Sequence, residues 1–256
     1  MDREKEKVAL RGEDGWIALL IVTTVVCLWE LIVWVREVPL YILPAPSRIV
    51  VTLFNNLKVY IVATWLTLGE AVLGLILGLV CGAGVAVLLS LWPRLERGVI
   101  ILAILLKSTP MVAIAPLLTI WLGFGVLPKV IITAILTFFP VLVNMLSGLQ
   151  STDPALLDTL NSWRASKWEM FLTVRLPQSL PYLFAALKVS GPLALIGAVV
   201  AEWTGASGGL GRMMWLAYTN LNLPFLFAAV FVLAAAGIGI FSILVWLERQ
   251  VVFWIN

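Results

Sequence analysis

The sequence predicts an all-α integral membrane protein of about six transmembrane helices, and three observations carry that prediction. Of 256 residues, 62% are hydrophobic and only 12% are charged, against about a quarter charged in a soluble domain. Several apolar runs exceed the roughly 18 residues that a helix needs to cross a bilayer. These runs also lack the short alternating strands of a membrane barrel, and lipid accepts only helices or closed barrels because it cannot satisfy free backbone groups.

Six segments fit the pattern: Trp16 to Val35, Tyr60 to Leu89, Val99 to Leu122, Leu127 to Leu149, Leu180 to Trp203, and Leu223 to Trp246. The preceding stretch MDREKEKVALRGEDG mixes acids with bases, and no small-residue cleavage site follows the first apolar run. That run therefore reads as a retained span rather than a secretory signal. Residues 1–15 form a short N-terminal segment and residues 16–256 a single transmembrane domain. Lys and Arg concentrate before the first span (Arg3, Lys5, Lys7, Arg11), after the second (Arg94, Arg97), after the fourth (Arg164, Lys167, Arg175) and after the last (Arg249). The other side holds Arg36, Arg48, Lys58, Lys129 and Arg212. The positive-inside bias predicts a multi-pass protein of the cell membrane, in contact with lipid, with both termini cytoplasmic.

Several chemistries are excluded. The chain has no histidine, which removes Ser-His-Asp catalysis, HExxH zinc sites and histidine proton relays. No cluster of nucleophiles, acids or metal ligands occurs, so neither a catalytic nor a metal site is expected. Cys27 and Cys81 fall inside apolar runs and read as small buried hydrophobes rather than a disulfide. The net charge of +3 speaks for orientation, not for a nucleic-acid partner.

In the first outer connection, LPAPSRIVVTLFNNLK (residues 43–58) places Val50, Leu53, Phe54 and Leu57 at helical spacing, with Ser47 available as a cap. The expectation is an amphipathic helix lying in the interface.

The central spans are punctuated. KSTPMVAIAPLLTIWLGFGVLPK contains Pro110, Pro116, Gly123, Gly125 and Pro128, and Pro140 follows. A proline frees a carbonyl, and lipid-depth backbone of that kind survives only where protein or a water-filled cavity satisfies it. The cluster points to a pathway. Glu70, Lys107, Thr109, Pro110, Pro116 and Glu202 are the candidate pathway residues. A charge near the bilayer centre costs on the order of 3 kcal/mol unless paired or wetted, and a Glu70 to Lys107 pair is one way to meet that cost. Lys188 can snorkel toward the cytoplasmic side.

The longest cytoplasmic loop, about residues 150–177, contains the charged island DTLNSWRASKWEMFLTVRLP. Asp153 caps a helix with Pro154 in its first turn, running to about Trp163. Ser166 and Glu169 form an S-x-x-E capping box that opens a second short helix, expected to end just before Pro177. The bend falls at Arg164-Ala165.

This island resembles the "EAA" loop of ABC importer permeases, whose pattern is E-A-A, three residues, G, nine residues, I-x-L-P. Asp158 takes the acidic position, Thr159 and Leu160 replace the alanines, Arg164 replaces the glycine, and Val174-Arg175-Leu176-Pro177 stands for I-x-L-P. The stretches TPMVAIAPLLTIWLGFGVLPK, TFFPVLVNMLSGL and LPYLFAALKVSGPLALIGAVVAEWTGASGGLG also resemble permeases of the nitrate, sulfonate, taurine and thiamine-precursor subfamily.

The resemblance implies a type I importer permease fold with a cytoplasmic coupling helix. It also implies a second permease copy forming a homodimer, cytoplasmic ABC ATPase subunits and an external substrate-binding protein. Asp158, Thr159, Leu160, Arg164, Ala165, Ser166, Trp168, Glu169, Leu176 and Pro177 would then face the ATPase. The sequence agrees on one independent point: it contains no GxxxxGK[ST], so the chain is not an enzyme by that chemistry, carries no cofactor of its own, and ATP-Mg belongs to a partner subunit.

A left-handed glycine is usual at such a bend, so Arg164 either adopts ordinary dihedrals or bears an offset strain, for instance through a contact with the ATPase. Gly191 to Trp203 most resembles permeases for thiamine pyrimidine precursors or riboflavin-like vitamins. Sulfonate, taurine or nitrate is the rival substrate class, and a secondary transporter is the rival mechanism. Trp203, Trp215 and Tyr218 can stack on a ring substrate or form an interfacial aromatic belt. Arg212 and Lys107 would suit an anion.

Overall fold

The structure, a computed structural model, describes the backbone of residues 2–255 and the side-chain surroundings of residues 16, 17 and 19–254. The N-terminal Arg3, Lys5, Lys7 and Arg11 lie outside the described side chains. Among the described residues there is no strand. Helix α1 covers Asp2–Val35 and is apolar over Leu19–Val35. The spans α3 (Leu57–Leu91), α6 (Val126–Gln150) and α11 (Leu223–Val251) are each long and apolar enough to cross a membrane. A fourth, Lys167–Glu202, contains α8 (Lys167–Met170), a π-helical turn over Phe171–Arg175 and α9 (Leu176–Glu202). The helices α4 (Glu96–Ser108) and α5 (Met111–Leu122) are long and apolar enough to cross only when taken together, and they are bent by 91° at Thr109-Pro110. Three short helices complete the chain: α2 (Pro46–Asn55), α7 (Pro154–Ser162) and α10 (Leu210–Thr219).

The centre of the fold is α6, held between α3 and α9. Its closeness to α3 is written into a small-residue stripe: Gly74, Gly78, Gly82 and Ala86 recur every fourth position and are buried. A Cβ at the three glycines would overlap Thr133, Thr137 and Val141 of α6. In lipid there is no hydrophobic drive between helices, so backbone approach of this kind supplies the packing. Gly148 and Gly197 play the same part against α9 and α6, meeting Ser179 with Tyr182 and Thr133 respectively.

The structure adds to or departs from the sequence expectations in several places. The second helix of the island does not stop before Pro177. The π-helical turn over Phe171–Arg175 leads directly into α9: Pro177 stands in the first turn of α9, where its missing N–H is least felt, and the wider turn before it absorbs the change of register. Lys188 has a partner that the sequence did not name: its ammonium bonds both carboxylate oxygens of Glu248, near the C-terminal end of α11, at 2.7 and 2.9 Å. Ser47 is not the cap of α2. Ala45 holds that position, and Ser47 donates its N–H (2.9 Å) and hydroxyl (2.7 Å) to the Glu30 carboxylate of α1. The face of α2 turned to the protein is Ile49 and Leu53, packed near Tyr60 and Ala228, while Val50, Phe54 and Leu57 are exposed. Cys27 and Cys81 are free and lie on the outside of the helix bundle rather than buried within the chain.

Candidate functional site

Two polar constructions interrupt the apolar bundle, one at each end. The first is the elbow made by α7 and α8. Asp153 Oδ1 accepts the Ala155 N–H at 2.9 Å, which fixes the start of α7. At its other end Arg164 N–H bonds Asn161 O and Ala165 N–H bonds Leu160 O, the paired closing bonds of a Schellman motif. That motif requires a left-handed residue, and Arg164 supplies it at φ 60. The backbone therefore retains the turn for which glycine is suited, and Arg164 bears the strain. Two residues on, the capping box is complete: Ser166 N–H to Glu169 Oε2 at 2.7 Å and Glu169 N–H to Ser166 Oγ at 3.2 Å.

No residue of α7 is buried. Asp158, Thr159, Arg164 and Trp168 are all exposed, with Trp163 beside them at 75%. Phe171 is the fastening. It stacks on Trp168 at 5.5 Å between centroids and enters the core formed by Leu89, Leu142, Met145, Leu146 and Leu149. An exposed polar helix is thus tied through one buried ring to the ends of α3 and α6.

The second construction lies at the far end, where α9 finishes. Glu202 is fully buried. Thr67 of α3 donates its hydroxyl to Glu202 Oε1 at 2.7 Å and accepts the Leu210 N–H at 2.8 Å. The Gly211 N–H donates to Glu202 Oε2. The first two amides of α10 are thereby satisfied by a hydroxyl and a carboxylate from two other helices, a tertiary cap in which the negative charge faces the positive end of the helix dipole. The turn between α9 and α10 closes tightly on Glu202. Gly209 adopts φ 103, and any side chain there would occupy the carboxylate's place.

Glu70 stands one helical turn beyond Thr67 on the same face of α3, and its carboxyl lies directly beside that of Glu202. Its partner is Lys129 at the start of α6, whose ammonium donates to Glu70 Oε1, with both side chains nearly buried. This corrects the expected Glu70 to Lys107 pair. Lys107 instead sits 4.6 Å from the centroid of Phe139, a cation–π contact on the outside of the chain. Glu70 needed a cation at its own depth, and Lys129 enters from the same end of the bundle.

Of the candidate pathway residues, Glu70 and Glu202 come together, while Lys107, Thr109, Pro110 and Pro116 are exposed along the α4–α5 break. At that break Thr109 and Pro110 are extended, with ψ of 130 and 111. Lys129 and Thr67 were not singled out in the sequence. Thr67 and Glu70 form a T-x-x-E on one helical face at membrane depth, and that spacing was the available signal. Trp203, Trp215 and Tyr218 cluster on one another at 6.2 and 6.1 Å.

The family described as "Binding-protein-dependent transport system inner membrane component" matches residues 74–253. The chain belongs to that family. The permease is 32% identical over 235 residues to a probable ABC transporter permease protein of Haemophilus influenzae, covering 92% of this chain and 96% of the relative. It is 33% identical over 228 residues to the formylaminopyrimidine transport permease protein of Halalkalibacterium halodurans, covering 89% and 91%. It is 30% identical over 258 residues to a putative aliphatic sulfonates transport permease protein of Bacillus subtilis, covering 96% and 90%. Among solved structures, a chain of the MetNI methionine ABC transporter in an inward facing conformation superposes with a TM-score of 0.68, covering 76% of this chain and 97% of that one at 18% identity. The fold of the permease is that of a type I ABC importer permease, and it is a multi-pass protein of the inner membrane.

Proposed function

We propose that the permease forms the translocation pathway of an ATP-driven importer for a small nitrogen heterocycle of the thiamine-precursor class. The observation that carries the substrate is the full-length likeness to the formylaminopyrimidine permease.

The elbow docks on a cytoplasmic ATPase, which binds ATP-Mg; the lysine and arginine distribution supports a cytoplasmic position for that end and for both termini. Asp158, Thr159, Leu160, Trp163, Arg164 and Trp168 form the docking surface, with Arg164 making a charge-assisted contact that offsets its backbone strain. Phe171 passes the movement of the elbow to α3 and α6. A second copy of the permease covers the exposed break at Lys107, Thr109 and Pro110, because unsatisfied backbone at membrane depth has to face protein or a water-filled path. An external binding protein delivers the substrate to the far end, and ATP and the loaded binding protein bias one two-state equilibrium.

A second reading, a sulfonate importer, is favoured by the Bacillus subtilis relative, which matches over an equally long stretch. The deciding experiment reconstitutes the permease with the ATPase and binding protein encoded beside it and measures uptake of labelled formylaminopyrimidine and of taurine. ATP-dependent uptake of the pyrimidine alone is expected. Uptake of taurine alone establishes the second reading, and uptake without ATP or ATPase overturns the importer. In the same assay Arg164→Gly loses ATPase assembly and uptake; unchanged assembly removes Arg164 from the docking surface.

A further inference from the structure

The far-end cluster contains a contact that ionised groups alone do not explain. The carboxyls of Glu70 and Glu202 lie within hydrogen-bonding reach of each other, and the two residues are 6% and 0% exposed. Three of their four oxygens have donors: Lys129 serves Glu70 Oε1, Thr67 serves Glu202 Oε1, and the Gly211 N–H serves Glu202 Oε2. The fourth, Glu70 Oε2, is closed off from solvent and has no donor among the described residues. A carboxylate accepts hydrogen bonds and donates none, so two of them in contact repel, and a buried oxygen without a donor is costly. One proton between the two carboxyls removes both difficulties. It turns Glu70 Oε2 into a donor toward Glu202, as in carboxyl pairs too close for both to ionise. Two carboxyls, one proton and one ammonium then make a cluster without net charge. No other element around the pair supplies a substitute charge: α5 and the loops 123–126 and 205–208 carry none, and Arg212, the one charged residue of α10, forms no ion pair among the described residues.

We propose that Glu70 and Glu202 form a proton-binding site in which one shared proton keeps α10 fastened. Lys129 clamps Glu70 from α6, whereas Glu202 has no cation of its own and holds only the neutral Thr67 hydroxyl and Gly211 amide. When the proton leaves, the repulsion therefore falls on Glu202. The turn at Gly209 closes on that carboxylate, so a shift of Glu202 displaces the turn and the start of α10 with it. A cavity of about 140 Å³ ends on Lys129 and Glu70. Its Thr119 and Thr204 hydroxyls lie 3.2 Å apart, and a polar space of that size holds water, which takes up the proton at the edge of the pair. Because the fastened state binds one proton more than the loosened state, the hold on α10 is stronger at low pH and is lost as pH rises. That this end faces outward rests on the importer reading; the proton site itself does not.

The test uses the full permease with its ATPase in lipid nanodiscs. Infrared difference spectra of wild type against Glu70→Gln and against Glu202→Gln are expected to show the C=O stretch of one protonated carboxyl in wild type and its loss in both variants, since a shared proton needs both partners. The downshift of that band in D₂O assigns it in wild type without any variant. No such band in wild type, or a band that survives in either variant, overturns the site.

Glu70→Gln also imitates the protonated state, because a glutamine there offers Lys129 an oxygen and Glu202 an amide N–H in the proton's place. Between about pH 6 and about pH 9, the Gly211 amide of wild type is expected to lose at least about tenfold of its hydrogen-exchange protection relative to the Glu169 amide of the elbow, while in Glu70→Gln the ratio stays constant. A constant ratio in wild type, or the same loss in Glu70→Gln, overturns the fastening role. None of these measurements involves transport, so the importer reading stands or falls separately, in the uptake assay.

Discussion

The permease caps two helix starts with the same pair of groups, a hydroxyl and a glutamate, and does so in opposite settings. At the elbow, Ser166 and Glu169 cap α8 from within three residues, in the open. At the far end, Thr67 and Glu202 cap α10 from two other helices, out of contact with solvent. The contrast teaches what each cap is for. The exposed box competes with water at every bond and sets a local direction of chain. The buried cap has no water to fall back on, so it fixes three helices relative to one another.

The contrast is broken most severely by Glu202→Ala. It leaves the Gly211 N–H without an acceptor, reduces the Thr67 hydroxyl to its bond with Ala63 O, and opens a void beside Glu70, at a cost of about 3–5 kcal/mol. Thermal unfolding in nanodiscs should fall by on the order of 10 °C, and Glu202→Gln, which keeps an acceptor, should recover part of it. An Ala variant as stable as wild type would mean the cap holds nothing together. Ser166→Ala comes next: loss of an exposed cap costs about 1 kcal/mol. Hydrogen exchange should quicken at the Glu169 amide while the melting of the spans stays unchanged. A global loss of stability would place the elbow inside the cooperative core.

Smallest is Arg164→Gly. Relief of the left-handed strain is set against the extra freedom of glycine in the unfolded chain, and the net gain is a few tenths to about 1 kcal/mol. The measurement is slower exchange of the Ala165 amide, which closes the Schellman motif. If exchange there quickens, the Arg164 side chain is stabilising the bend by a contact of its own.

The same contrast explains what was legible. The elbow could be read almost bond by bond, from Asp153 to the capping box, because its partners are near in sequence. The spans were legible for a different reason, since lipid imposes a length and a composition on them. What could not be read was anything depending on register between helices. Glu70 was recognisable as a charge in need of a partner, but only the packing of α3 on α6 selects Lys129 over Lys107. Ser47 likewise looked like a cap by position, whereas the pairing with Glu30 depends on how α1 meets α2. The end of the elbow is not legible in the sequence, because Pro177 reads as a stop and a π-helical turn is not marked by residue type.

That turn has a mechanical consequence. Because Phe171–Arg175 joins α8 to α9 without a break, Lys167–Glu202 is one helix of 36 residues, about 54 Å long at 1.5 Å per residue. Its ends are the capping box and the buried cap. Such a rod acts as a lever: a tilt of about 5° about one end carries the other through about 5 Å over that length, more than a hydrogen bond can stretch. If the elbow docks as proposed, a stroke delivered at Ser166 would be felt at Glu202 as a choice between holding α10 and letting it go.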